Sequence, residues 1–78
     1  MSRQIRFERS LYRPEAVQAA VVAYADFARI EVLPAGDATE VTILPSEDYD
    51  AELVIGGFCN HVLYETIASQ RADAVGGD

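Results

Sequence analysis

The sequence predicts an α+β domain: a two-layer β-α-β-β-α sandwich in which a small three-stranded sheet is covered on one face by two helices. Three observations carry this. Apolar residues alternate with polar ones in short segments near the start and the middle of the chain, the mark of half-buried strands. They recur at helical spacing in two longer segments. The 78 residues are about half of the ~150 typical of a globular domain, so residues 1–75 form a single domain and 76–78 a short disordered tail.

The first strand spans Gln4 to Arg9, with Ile5 and Phe7 alternating against Arg6 and Glu8. Ser10 to Arg13 connect it to a helix opened by Pro14, whose fixed φ suits the first helical position. Glu15 follows where the helix dipole favours a negative charge. Val17, Ala20, Val21, Tyr24, Phe27 and Ala28 share one face of this helix. Its other residues are short, which suits close packing of a second element.

Ile30 to Leu33 and Thr39 to Leu44 read as the arms of a β-hairpin, with Pro34-Ala35-Gly36-Asp37 supplying the turn. Pro45 closes the second arm because it has no amide to donate. An acidic stretch with Glu47, Asp48, Asp50 and Glu52 then leads into a long apolar segment from Leu53 to about Ala74. Ile55, Phe58, Cys59, Val62, Leu63 and Thr66 lie on one helical face there, with Ile67 beside them. Gly56-Gly57 interrupts the pattern, since each glycine costs about 1 kcal/mol relative to alanine inside a helix. One continuous helix is the preferred reading, with the glycines admitting the first helix or another chain. The alternative is a third hairpin strand at Glu52–Ile55 and a helix from Phe58.

Two helices cover one sheet face only. Leu33 and Leu44 are candidates for the other, and a homodimer is the usual way to hide such surface.

Charge is unevenly placed. Arg3, Arg6, Arg9 and Arg13 against Glu8 give the first thirteen residues +3, and the remaining 65 carry −10, for a net −7. Such a chain is repelled by phosphate backbones, which argues against nucleic-acid binding. The longest apolar run, Ala19 to Ala25, has seven residues, against the about 20 a membrane span needs. MSRQIRFERS lacks the apolar stretch of a secretory signal. A cytoplasmic, non-membrane protein is expected.

No catalytic constellation emerges. Cys59-Asn60-His61 is the only cluster of reactive types, and on a helix residues two apart diverge by about 200°, so Cys59 and His61 cannot grip one metal. His61 and Glu65 are spaced to pair on the helix surface. Asp48-x-Asp50-x-Glu52 begins like a calcium loop but places Leu53 where glycine is required and Cys59 where glutamate is. Asp50 is better read as a helix N-cap. The terminal Gly76-Gly77 invites comparison with sulfur carriers of ubiquitin type, but the element order differs and Asp78 follows. No cofactor or metal is expected, and the chain reads as a non-enzyme.

Ser10-Leu11-Tyr12 ahead of the proline-led helix, and Phe58-Cys59-Asn60-His61-Val62-Leu63 in the last one, resemble the small D-type proteins of the His-Xaa-Ser system (HxsD-like). The resemblance covers roughly residues 5 to 70. It implies an accessory protein associated with a radical-SAM maturase and its precursor peptide, and it singles out Tyr12, Phe58, Asn60 and Leu63. The chain lacks the cysteine triplet of an iron–sulfur cluster and the His-Xaa-Ser repeat, so it is neither the maturase nor the modified peptide. Tyr12 is expected to lock the strand-to-helix turn through its hydroxyl, and Asn60 to bond Tyr64 or a neighbouring element. Arg6 and Arg9 on the first strand would favour an acidic peptide added at the sheet edge.

Overall fold

A computed structural model describes residues 2–76. The elements follow in the expected order: β1 (Arg3–Glu8), α1 (Pro14–Tyr24), β2 (Ala28–Ala35), β3 (Ala38–Pro45) and α2 (Ala51–Gly76). The strands form one antiparallel sheet in the order β1-β3-β2. β1 and β2 therefore run parallel to each other but are separated by β3, so they are not the parallel neighbours of a simple β-α-β unit. A two-residue turn folds β3 back on β2, and in the centre it is the most buried strand, with Ala38, Thr39, Val41 and Ile43 all buried.

Register assigns the faces. Ile5 lies opposite Val41 and Phe7 opposite Thr39, while Val32 meets Val41 and Ile30 meets Ile43. Directly opposed residues share a face, so these side chains point together toward the helices. They meet Val17, Ala20, Phe58 and Val62 in one core. The alternate set, with Gln4, Arg6, Arg29, Glu31, Glu40 and Thr42, faces away. Leu33 and Leu44 are exposed on that open face as expected, but their neighbours there are mostly polar.

The hairpin is longer than the sequence suggests. Pro34 and Ala35 belong to β2, and the turn is Gly36-Asp37 alone. Gly36 has φ +62°, the positive value that the first central residue of a type II′ turn needs. Pro34 is tolerated because β2 is an edge strand. β1, in turn, stops at Glu8, and Arg9 begins the connection to α1.

α1 ends at Tyr24, earlier than its apolar spacing implies. Phe27 lies in the following turn, its N–H donating to the Tyr24 carbonyl at 3.0 Å while its own carbonyl accepts from the Ser46 N–H at 2.9 Å. Ala28 opens β2 opposite Pro45. Strand pairing claims these residues, and helical spacing gives way.

α2 runs unbroken through Gly56-Gly57. Asp50 caps it: its Oδ1 accepts from the N–H groups of Glu52 at 2.9 Å and Leu53 at 3.2 Å. Val75 and Gly76, expected in or beside the tail, are helical, and residues 77 and 78 lie outside the described residues. At 26 residues α2 is about 39 Å long, more than twice the length of α1.

Candidate functional site

Two features of the surface stand out, both built on α2. The first is a groove where the α1–β2 turn, the β3–α2 loop and the start of α2 meet. Tyr24, Phe27, Tyr49, Asp50, Leu53 and Val54 line an open cavity of about 250 Å³. Its aromatic wall is continuous. Phe27 and Tyr49 meet edge to face at 5.0 Å, Tyr24 and Phe27 lie 5.8 Å apart, and His61 continues from Tyr24 at 6.1 Å. Tyr24 reaches this position because Gly57 has no side chain: a Cβ there would collide with the Tyr24 hydroxyl.

The second feature is the outer face of α2. Val54, Ile55, Phe58, Val62 and Thr66 face the core. Leu53, Gly56, Asn60, Leu63, Tyr64 and Ile67 are all exposed, on the opposite side of the same helix. α2 is thus apolar on two faces, and α1 with the sheet covers only one of them.

The residues singled out by resemblance do not converge on one site. Phe58 is fully buried, touching Phe7 and Tyr24. Leu63, expected on the core face, is turned out beside Asn60, because the buried arc of α2 is centred on Val54, Phe58 and Val62. Asn60 makes no side-chain hydrogen bond to Tyr64 or any other described residue. Tyr12 does lock the turn into α1, but through its ring, packed edge-on against Phe7 at 5.3 Å, and its N–H, which donates to the Glu8 carbonyl at 2.8 Å. Its hydroxyl has no protein partner among the described residues.

Arg6 is committed within the open sheet face, reaching Glu8 at 3.0 Å and Glu40 at 3.5 Å. The hydrogen bond to Glu8 raises its already high pKa, with the Glu8, Glu40 and Asp37 charges adding. Arg9 is exposed and forms no ion pair among the described residues. The two arginines are therefore unequal: only Arg9 offers a free charge.

The reactive residue types are held in structural roles. Partial burial pushes the Cys59 thiol up, with Arg3 pulling weakly the other way, so the thiolate is disfavoured. His61 Nε2 sits 3.8 Å from Glu65 Oε1, the expected surface pair. Of the acidic stretch, Asp50 serves the helix N-terminus and Glu52 pairs with Arg3 at 3.3 Å. Among the described residues no group of three or more His, Cys, Asp or Glu is placed to hold a metal, and no helix is long and apolar enough to cross a membrane.

The aromatic groove was not legible beforehand because its walls come from three separate segments. Tyr49, an aromatic residue set in an acidic loop, was its one local signal. The fold and these surfaces define a small α+β domain with one aromatic groove and an apolar outer helix face. Comparison with family models, with curated proteins and with solved structures finds no match for this chain.

Proposed function

We propose that this chain is a non-catalytic accessory protein that docks an extended peptide, in keeping with the partner role implied by its resemblance to the HxsD-like proteins. The partner is then a radical-SAM maturase or its precursor peptide, met in the cytoplasm. The observation that supports docking is the open edge of β1. The strand order leaves both β1 and β2 with one unpaired side, but β2 carries Pro34, which has no N–H to offer. β1 has six residues and no proline, so it is the edge on which an added strand finds a full ladder.

Charge refines the reading. Arg6 is neutralised by Glu8 and Glu40, so preference for an acidic peptide rests on Arg9. A fluorescein-labelled extended peptide with glutamate at alternate positions is expected to bind saturably in an anisotropy titration. Arg9→Glu weakens that binding several-fold and Arg6→Gln changes it little. Equal affinity for all three proteins sinks the electrostatic part. If affinity capture of the tagged chain from its native cell repeatedly recovers neither maturase nor precursor peptide, the accessory role falls. A second reading, a self-associating structural protein without a peptide ligand, is favoured by the apolar outer face of α2.

A further inference from the structure

We infer that the outer face of α2 seats the same face of a second copy, with the two helices antiparallel and Asn60 on the twofold axis. The exposed residues of this face are spaced in steps of three and four: Leu53, Gly56, Asn60, Leu63 and Ile67, with Tyr64 beside Leu63. That is the seam of a helix pair, a stripe about 21 Å long. Leu53, Leu63, Tyr64 and Ile67 are 75%, 45%, 66% and 42% exposed. Their exposed parts amount to on the order of 500 Å² per copy, the size of the largest apolar patch on a typical monomer, which is often an interaction surface. Two copies together bury roughly 1,000 Å², the threshold of a biological interface.

The pattern is self-complementary about Asn60, and this selects both the partner and the direction. Leu53 and Ile67 each lie seven residues from Asn60, on opposite sides. In an antiparallel pair each Leu53 therefore meets the Ile67 of the other copy. Gly56 stands four residues before Asn60 and Tyr64 four after it, so the smallest residue of one face receives the bulkiest of the other. Space above Gly56 is open, with no atom within 4 Å of where a Cβ would be. On the axis Asn60 meets itself, and a primary amide, carrying both donor and acceptor, is its own hydrogen-bonding complement. A single asparagine in an otherwise apolar seam sets register.

Charge points the same way. The loop before α2 is acidic, with Glu47, Asp48 and Asp50, and Glu52 opens the helix. Arg71, exposed near its far end, forms no ion pair among the described residues. Antiparallel pairing about Asn60 brings Arg71 of each copy level with Tyr49 and Asp50 of the other, where a guanidinium finds an aromatic face and a carboxylate. Parallel pairing would instead set the two acidic loops side by side.

Sedimentation of the full chain over about a thousandfold range of concentration is expected to show a reversible monomer–dimer equilibrium. Ile67→Lys, an exposed site, is expected to leave the circular dichroism spectrum unchanged and to raise the dimer dissociation constant by about a hundredfold or more. Arg71→Glu raises it about tenfold. Direction is read by cysteine crosslinking in a Cys59→Ala background. Asn60→Cys forms a disulfide-linked dimer under mild oxidation, Leu53→Cys alone does not, and Leu53→Cys mixed with Ile67→Cys gives the mixed pair. A chain that stays monomeric throughout overturns the inference. So does a dimer indifferent to Ile67→Lys, or one in which Leu53→Cys crosslinks to itself as readily as Asn60→Cys.

Discussion

An ideal Cβ on Gly57 would meet the Tyr24 hydroxyl, with Tyr24 Cζ 3.2 Å away, although alanine is the better helix former by about 1 kcal/mol. Tyr24 cannot swing aside freely, because its ring is packed against Phe27, Phe58 and His61. Gly57→Ala is therefore expected to lower the urea midpoint, and to do so less in a Tyr24→Phe background, where the nearest atom is gone. Equal losses in both backgrounds would show that Tyr24 does not impose the glycine. Asp50 is a second residue with one task. Asp50→Ala should destabilise by about 1 kcal/mol while Asp50→Asn keeps most of the cap, a difference that thermal unfolding resolves. Cys59 has its thiol pKa raised by partial burial. Its contribution to stability is present below the ordinary thiol pKa and is lost as pH rises through the raised one. A thiol reagent at mildly alkaline pH should accordingly label Cys59 more slowly in the folded chain than in urea, and labelling at equal rates refutes this.

Among the elements, the hairpin β2–β3 is held by a turn that only glycine fits well. Gly36 has φ +62° and nothing crowds a side chain there, so any cost of substitution is conformational. Gly36→Val is expected to cost about 1–2 kcal/mol, measured by chemical denaturation, with no change in the sheet signature. β1 has no turn joining it to this hairpin; it pairs with β3 and carries the Arg6 network on its open side. Those ion pairs are exposed, and exposed pairs contribute little net stability. Their consequence is directional: they make the open face polar, so the proposed docking of an incoming chain falls to the strand edge. α2 outruns α1 because their apolar patterns differ in length, and its outer face from Leu53 to Ile67 is exposed, with no partner among the described residues.

At the scale of the molecule, a 78-residue chain buries only roughly 60% of the surface its unfolded form exposes. Its extents of 47 × 25 × 16 Å are those of a flattened layer drawn out along α2, which leaves large surface for its volume. Surface of this kind is made useful by contact. Pairing through α2 adds a second source of apolar burial, so the thermal midpoint of the wild-type chain should rise with protein concentration while that of Ile67→Lys stays constant. The open β1 edge lies on the sheet, whereas the proposed seam lies on the outer side of α2. Ile67→Lys and Arg9→Glu should therefore act independently, the first on self-association and the second on peptide affinity.

The order of elements, the Asp50 cap, the Gly36 turn and the continuity of α2 were determined by the sequence, because each follows from local chemistry: alternation, capping, positive φ, helical spacing. Local rules also overreached. They extended α1 to Ala28 and turned Leu63 inward, since spacing along one helix says nothing of where its neighbours lie. Only the tertiary structure decided that β3 stands between β1 and β2, which residues of α2 meet the core, and that Tyr24, Phe27 and Tyr49 converge. It also separated Arg6 from Arg9, two residues alike in sequence, by placing Glu40 within reach of one of them. Those outcomes depend on contacts between distant segments, and such contacts exist only once the layers have packed.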